Sequence, residues 1–441
     1  MAKIGFVSLG CSKNTVDTEV MLHRLMSSGH EITPEPTEAD VVVINTCAFI
    51  ESAKQESIDN VLDIAYLKEH HSLKGIVVCG CLGERYGEEI LREMPEVDAV
   101  LGTGSYDDIV EAVDKIVCGE RGYFSHKDKN EALLGGERIL TTGEGTAYLK
   151  IAEGCDNCCT YCAIPHIRGR FRSRPMEDIV EEARELEKLG IVELNIIAQD
   201  TSRYGLDLYG EYKLAELVER ILRETEIPWI RLLYLYPDKI TDELISVMKN
   251  NDRVLKYADI PIQHISDKML KAMNRHGDGE MIRDAIRRLR AEIPDITLRT
   301  TAIVGFPGET EEDFSQLCEF IKETKFDRFG AFTYSREEDT KASEFEDQID
   351  EQTKQDRYDI IMREQLYISA EKTASMVGKT LVVFCEGYDP VSETYFGRSE
   401  ADAPDVDGKI FFTSKKKLRD GSFVKVKITE ALDYDLIGRA I

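Results

Sequence analysis

The stretch Cys155-Asp156-Asn157-Cys158-Cys159-Thr160-Tyr161-Cys162 is the part of the sequence from which the fold can be worked out. Within it, Cys155, Cys159 and Cys162 have the spacing CxxxCxxC and directly follow a strand-forming run. Three thiolates on one loop can bind three irons of a four-iron cluster and leave the fourth iron open for a substrate or cofactor ligand. The alternative is a structural zinc site, for which His166 could supply the fourth ligand. The spacing favours the iron-sulfur site.

After this stretch, apolar runs alternate with helical patterns. The runs lie at 149–152, 194–198, 230–234, 258–262, 297–304 and 328–334. Six β/α units are too few for a closed eight-fold barrel, so we expect an open, partial (β/α)6 barrel.

Before the stretch, the same alternation predicts a second α/β unit. Its strands lie at 3–9, 40–45, 74–78 and 97–101, and its helices at 14–29, 51–68, 84–93 and 106–118. Near-continuous apolar strands of this kind are typical of an open parallel sheet that is covered on both faces.

The end of the chain has a third pattern. A long helix at 351–376 is followed by short runs at 380–385, 394–397, 409–412, 422–430 and 433–441, which predict a small antiparallel β-barrel. The predicted domains are 1–118, 146–373 and 374–441, with a polar, Gly-rich linker at 119–145.

Cys11, Cys47 and Cys81 each follow one of the first three predicted strands. The carboxyl ends of parallel strands share one crevice, so side chains remote in sequence can meet there. Singly, each is better read as a small buried residue, but three equivalent positions favour a second three-cysteine cluster. Cys79 falls inside its strand and is expected in the core.

Composition restricts the classes of protein further. The 441 residues carry a net charge of −27, which does not attract nucleic acid or a membrane surface over long range. We expect a cytoplasmic protein, because there is no apolar run of membrane length and no signal-peptide pattern at the start. Eleven cysteines in a reducing compartment favour metal or redox chemistry over disulfides.

The two triads resemble those of the methylthiotransferases within the radical S-adenosylmethionine (SAM) superfamily. The resemblance extends nearly end to end, with a TRAM domain from about Ala374, and it includes three further segments: Gly10-Cys11-Ser12-Lys13-Asn14, Asn45-Thr46-Cys47 and Arg172-Ser173-Arg174-Pro175. It implies two [4Fe-4S] clusters, on Cys11, Cys47 and Cys81 and on Cys155, Cys159 and Cys162, with SAM as cofactor.

Within this family the sequence is most similar to the branch that modifies ribosomal protein S12. Ser12-Lys13-Asn14 and Gln263-His264 have the form of that branch, and Tyr334 to Thr340 matches it except that Asp339 replaces a glycine. The resemblance implies a methylthio group added to the β-carbon of an S12 aspartate, with one SAM as methyl donor and one as radical source. It also implies a sulfur atom carried on the open iron of the Cys11, Cys47 and Cys81 cluster.

The same resemblance implies the partners. S12 is expected either free or in the small ribosomal subunit, with an electron donor such as flavodoxin or ferredoxin; the sequence does not indicate the sulfur donor. A tRNA methylthiotransferase and a non-catalytic iron-sulfur protein are the alternatives. The third domain favours a basic protein partner over tRNA, because from Ala374 onward it has ten Lys and Arg against eleven Asp and Glu.

The resemblance assigns SAM contacts to Tyr161, Gln199, Asp200, Ile303 and Gly305. From their positions we also expect Lys13, His264 and Arg336 near the substrate, with Lys13 beside the first cysteine placed to attract an anionic sulfur species. A hydrogen-bonded structural role is the alternative for His264, and a simple helix-start position is the alternative for Lys13. The basic run Arg168, Arg170, Arg172 and Arg174 is read as ion-pair partners of nearby acidic residues, or of SAM or substrate carboxylates, ahead of RNA contacts.

Overall fold

Three main sheets follow one another along the chain, and the computed structural model describes residues 1–132 and 134–441. The first two are six-stranded parallel sheets and the third is a closed five-stranded barrel. The predicted α/β architecture of three successive units is confirmed.

The first sheet has the strand order β2-β1-β3-β4-β5-β6. Its strands are β1 Lys3–Ser8, β2 Glu31–Thr33, β3 Val41–Thr46, β4 Gly75–Gly80, β5 Ala99–Leu101 and β6 Tyr123–Ser125. Its helices are α1 Ser12–Ser27, α2 Glu51–His70, α3 Cys81–Tyr86, α4 Glu88–Glu93 and α5 Ile109–Val117. Val41 and Val43 pack toward α1 and α5, whereas Val42 and Ile44 pack toward α2. The apolar runs therefore bury both faces of the sheet, as predicted.

Strands β2 and β6 were not predicted. They are three-residue strands at the two opposite edges of the sheet, and neither is an apolar run like the equally short β5. Strand β6 lies inside the segment predicted as linker, which therefore contributes a strand to the first sheet.

The second sheet has the order β14-β13-β12-β11-β10-β7. Its strands are β7 Thr146–Lys150, β10 Glu193–Ile197, β11 Trp229–Leu232, β12 Val254–Asp259, β13 Thr297–Val304 and β14 Arg328–Thr333, and the short pair β8 Ala152–Glu153 and β9 Arg172–Ser173 flanks the cysteine loop. Its helices are α6 Ile164–Arg168, α7 Met176–Lys188, α8 Leu206–Tyr209, α9 Leu214–Glu224, α10 Asp242–Asn250, α11 Asp267–Ala272, α12 Gly279–Glu292 and α13 Glu311–Thr324. Strands β7 and β14 form the two edges, so the sheet is the open partial barrel that the sequence predicts.

Helix α14 Glu351–Ala374 leads to the terminal barrel. Its strands are β15 Thr380–Asp389, β16 Thr394–Ser399, β17 Ile410–Thr413, β18 Phe423–Ala431 and β19 Leu436–Ala440. The predicted small antiparallel barrel is confirmed, with four of its five strand pairs antiparallel and only β17 and β19 parallel. An odd number of strands cannot alternate in direction around a closed ring, so one parallel pair is unavoidable.

The terminal barrel covers the amino ends of the strands in the second sheet. Arg398 donates to Glu193, the first residue of β10, with Nη2 to Oε2 at 2.6 Å. The Trp229 ring at the start of β11 packs against Phe423, with centroids 4.7 Å apart. The carboxyl ends of these strands are therefore on the side of the first domain. Within the described residues, no helix combines the length and apolarity needed to cross a membrane.

Candidate active site at the junction of the two parallel sheets

The loop with the CxxxCxxC spacing runs from β8 to α6. Cys155 and Cys159 are buried and Cys162 is half-buried, whereas Cys158 is exposed and has a left-handed φ of 50°. Burial raises the pKa of Cys155 to about 11, and burial together with the charge of Cys159 also raises the pKa of Cys162. The three thiols of the spacing thus act on one another in a site from which water is largely excluded.

Two side chains donate to the sulfur atoms of this loop. Asn157 Nδ2 lies 3.4 Å from Cys155 Sγ, and Arg275 Nη1 lies 3.9 Å from Cys159 Sγ. Donors of this kind stabilise thiolates and tune the potential of a cluster bound by them. The sequence did not single out Arg275, which lies more than a hundred residues beyond the loop and belongs to no recognisable motif.

The residues predicted to contact SAM lie on the cysteine loop and at the carboxyl ends of β10 and β13. Tyr161 packs against an apolar cluster that includes Met273 and Phe306. Asp200 accepts a hydrogen bond from Asn157 at 2.8 Å and pairs with Lys239 at 3.0 Å.

The other predicted SAM contacts lie at strand ends. Gln199 donates to Glu153 at 2.7 Å, while its buried Oε1 has no hydrogen-bond partner in the described part of the chain. Ile303 and Gly305 stand at the carboxyl end of β13, and the Gly305 N–H donates to Glu309 Oε2 at 2.7 Å. The orphaned acceptor and the three neighbouring thiols fit a polar cofactor held beside a cluster.

The second triad lies at the carboxyl ends of three adjacent strands, β1, β3 and β4. A hydrogen bond from Cys47 lowers the pKa of Cys81 to about 6, and the same interaction raises the pKa of Cys47. The charge of Cys11 also acts on Cys47. Cys79 is fully buried within β4, as expected of a core thiol.

Asn14 and Asn45 tie these strand ends together. Asn14 Nδ2 donates to the carbonyls of Leu9 and Thr46, at 2.9 Å each, and Asn45 Nδ2 donates to the Asn14 carbonyl at 2.9 Å. These contacts hold the turns that carry Cys11 and Cys47 against each other.

Among residues 1–132 and 134–441, no three His, Cys, Asp or Glu side chains form a ligand group for one metal ion. His166, the proposed zinc ligand, is exposed. In a four-iron cluster each thiolate binds a different iron, so the thiols need not converge on one point.

A buried charge network joins the two triads. Arg168, at the end of α6, pairs with Asp17 at 2.5 Å and with Glu153 at 3.4 Å, and it also donates to Asn14 Oδ1. Lys150 pairs with Glu153 at 2.7 Å. Burial raises the pKa of Glu153, but the charges of Lys150 and Arg168 outweigh it and lower that pKa to about 2.

The rest of the arginine run also binds protein groups. Arg174 pairs with Glu182 at 2.6 Å, and Arg172 donates to the carbonyls of Ala132 and Lys129, at 2.6 Å each. Arg170 is exposed. Ion pairing therefore accounts for Arg168 and Arg174, as the sequence favoured.

The residues predicted to contact substrate occupy different settings. Lys13 is buried, with Nζ 3.0 Å from the centroid of the Tyr234 ring. His264 is also buried; its Nδ1 accepts from the Ser266 N–H at 3.0 Å and its Nε2 lies 3.2 Å from Glu309. Both ring nitrogens of His264 are thus occupied by protein groups, as expected of a histidine with a hydrogen-bonded structural role.

Arg336 is exposed, and its Nε donates to the Ser343 carbonyl at 2.8 Å. The neighbouring Glu337 is buried and pairs with Arg85 of α3 at 2.9 Å, which links this loop to the first domain. Asp339 has a left-handed φ of 62°, a conformation that glycine adopts without strain. This explains why the family motif has glycine at this position.

A cavity of about 370 Å³ lies where the first domain, the second sheet and the terminal barrel meet. Its walls are mostly hydroxyl and carboxylate groups, including Ser8, Thr15, Tyr148 and Asp405. The Tyr148 hydroxyl donates to Asp405 at 3.0 Å, and Asp405 has no ion-pair partner in the described ranges. The cavity is therefore polar and carries negative charge.

The middle of the chain is a radical SAM domain. Residues 149–321 match the Radical SAM superfamily, residues 3–102 match Uncharacterized protein family UPF0004, and residues 377–441 match the TRAM domain. The fold is similar to that of the radical S-adenosylmethionine methyltransferase TsrM from Kitasatospora setae, with a TM-score of 0.55 and 15% identity over 75% of this chain and 72% of that one.

Similarity to curated proteins is closer and spans the whole chain. Ribosomal protein uS12 methylthiotransferase RimO of Lachnoclostridium phytofermentans is 51% identical over 99% of this chain and 100% of its own length. The proteins of that name from Acetivibrio thermocellus and Geobacter sulfurreducens are 49% and 48% identical, each over 100% of this chain and 98% of their own. The chain belongs to the RimO family of ribosomal protein uS12 methylthiotransferases.

Proposed function

We propose that this chain attaches a methylthio group to the β-carbon of an aspartate in ribosomal protein S12. The observation that carries the proposal is the position of both thiol triads at one junction, joined through Arg168 and Asn14, in a chain whose full-length relatives bear that enzyme's name. A reaction that needs a radical and a sulfur atom at the same carbon requires the two sources to lie side by side.

The residues of the chain provide two separate sets of thiolate ligands. Cys155, Cys159 and Cys162 would hold one [4Fe-4S] cluster, and Cys11, Cys47 and Cys81 a second. Bound clusters and SAM would supply the radical that removes a hydrogen atom and the sulfur and methyl groups that replace it. Arg275 and Asn157 stabilise the thiolates of the first set by donating to them.

Tyr161, Gln199, Asp200, Ile303 and Gly305 would bind SAM. Gln199 Oε1 is buried and has no hydrogen-bond partner in the described ranges. In this assignment it accepts a hydrogen bond from an N–H or O–H group of the cofactor. Asp200 holds Asn157 toward Cys155 and so orients the ligand loop.

The substrate would enter from the side of the polar cavity. Its free carboxylate, Asp405, and the net charge of −27 favour a basic protein, as ribosomal proteins generally are. We place the reaction in the cytoplasm, on S12 that is either free or in the small subunit, with a flavodoxin- or ferredoxin-like electron donor. We keep 1–118, 146–373 and 374–441 as the three domains, and within the segment 119–145 we assign β6 to the first domain because it pairs with β5.

The test compares three enzymes and two substrates. Reconstituted wild-type protein should contain about eight irons and methylthiolate S12 but not tRNA. Replacing Cys155, Cys159 and Cys162 by Ala should remove about half of the iron and all reductive SAM cleavage. Replacing Cys11, Cys47 and Cys81 by Ala should remove the other half, leave 5′-deoxyadenosine formation measurable, and abolish methylthio transfer.

Mass spectrometry of S12 and tRNA, iron analysis and 5′-deoxyadenosine measurement give the outcomes. Methylthiolated tRNA beside unmodified S12 would refute the proposed substrate. Undiminished S12 modification by the variant lacking Cys11, Cys47 and Cys81 would refute the second cluster.

A further inference from the structure

Lys13 differs from the other buried lysines of the protein. The described residues include four buried lysines, Lys13, Lys150, Lys239 and Lys354. Three of them pair with carboxylates: Lys150 with Glu153, Lys239 with Asp200, and Lys354 with Glu351, at 2.7, 3.0 and 2.6 Å. Within the described ranges, Lys13 has an aromatic ring as neighbour but no ion-pair partner.

The aromatic neighbour does not replace a carboxylate. Lys13 Nζ lies 3.0 Å from the Tyr234 ring centroid, and the residue is 5% exposed. A cation–π contact offsets only part of the cost of removing an ammonium group from water, and it leaves the N–H donors of that group without acceptors. The ammonium is thus prepared for an anion that residues 1–132 and 134–441 do not provide.

The position of Lys13 indicates which anion this is. Lys13 follows Cys11 by two residues at the start of α1, whereas Tyr234 lies just beyond β11 in the second sheet. The backbone N–H of Tyr234 donates to Asp259 at 3.1 Å, which holds this residue at the carboxyl end of β11. The ammonium therefore bridges the first domain and the barrel, beside the junction where both triads lie.

We propose that Lys13 binds the side-chain carboxylate of the aspartate that is modified, an inference that rests on the function proposed above. In an aspartate the β-carbon is bonded directly to the carboxylate carbon. An ammonium that binds a carboxylate oxygen thus holds an atom that is only two bonds from the β-carbon. Lys13 is in this way a substrate-binding residue that selects an acidic side chain.

The experiment uses S12 and an S12 variant whose target aspartate is replaced by asparagine, which has the same shape without the charge. Wild-type enzyme should modify the aspartate form with at least about tenfold higher kcat/KM, and Lys13→Met should lose most of this preference. Lys13→Arg should retain part of it. Formation of 5′-deoxyadenosine without S12, and the electron paramagnetic resonance spectrum of the Cys11, Cys47 and Cys81 cluster, should stay unchanged.

Lys115→Met is the matched control. Lys115 Nζ lies 4.0 Å from the Tyr123 ring centroid on the far helix α5, so this variant also loses a cation–π contact. It should keep the aspartate preference in full.

Three results would overturn the inference: an equal loss on both S12 forms in Lys13→Met, an altered cluster spectrum, or weakened SAM cleavage. The first would indicate a structural role, and the other two a role toward the cluster or SAM. If wild-type enzyme modifies neither S12 form, the proposed function fails instead, so the two failures are distinguishable.

Discussion

Gly305 and Gly308 form a natural pair for a test at the scale of single residues. Both adopt left-handed φ angles, 71° and 78°, but a Cβ on Gly305 would lie 2.3 Å from Lys354 Cγ, whereas a Cβ on Gly308 would meet no atom within 4 Å. Gly308→Ala should therefore cost about 1 kcal/mol of stability from backbone strain alone. Gly305→Ala should cost about 1–3 kcal/mol more, because the neighbouring side chain must move.

Thermal unfolding of the apo-protein and the SAM dissociation constant measure the difference. Gly305→Ala should also weaken SAM binding, since Gly305 ends the strand assigned to the cofactor. Equal stability and equal SAM affinity of the two variants would show that the strand end tolerates a side chain.

Single residues were predictable where their neighbours in sequence define the chemistry. The CxxxCxxC loop places three thiols within eight residues, so its role can be read locally. Arg275 and Lys239 could not be found in this way, because they reach the loop from connections that are distant in sequence. Lys13 was recognised as a candidate, but the ring of Tyr234 beside it is visible only in the folded chain.

At the scale of elements, the short helix α6 fastens the first domain to the barrel through Arg168. Arg168→Gln should leave Asp17 and Glu153 without their guanidinium partner, and loss of one member of a buried ion pair costs about 3–5 kcal/mol. We expect a lower unfolding midpoint and, in addition, uncoupling, so that more 5′-deoxyadenosine forms for each methylthio group transferred.

Arg170→Gln is the control, since it removes the same charge from an exposed position only two residues along the chain. It should change neither the unfolding midpoint nor the ratio of 5′-deoxyadenosine to methylthio product. A destabilised Arg168→Gln enzyme that keeps the wild-type ratio of 5′-deoxyadenosine to product would show that the network supports the fold without positioning the two sites.

Elements were predictable in proportion to their length and pattern. The predicted strands of both parallel sheets follow from their apolar runs, including the three-residue β5, whereas the sequences of β2 and β6 contain no such run. The parallel pairing of β17 with β19 could have been expected from the count of five strands, since closure of an odd ring requires it.

At the scale of the whole molecule, convergence of Cys11, Cys47 and Cys81 was predictable because parallel strands end at one edge. The contact between this edge and the CxxxCxxC loop was not predictable, because the sequence pattern of neither sheet shows how the two domains pack together. It depends on side chains such as Arg85 and Glu337, which pair across the domains over 252 residues of sequence.

Charge governs the last prediction, which concerns capture of S12. A chain with a net charge of −27 should bind a basic ribosomal protein through long-range attraction, and salt screens such attraction over about 10 Å at 0.1 M. The S12 dissociation constant should therefore rise at least about tenfold between 0.05 and 0.5 M salt, by analogy with other charge-steered complexes.

Asp405→Asn should weaken S12 binding more than Asp420→Asn does. Both substitutions remove one charge from the terminal barrel, but of the two residues only Asp405 lines the cavity. Titration by calorimetry at several salt concentrations measures both effects. An S12 affinity that is independent of salt, or an equal loss in the two variants, would contradict an electrostatic docking site at this cavity.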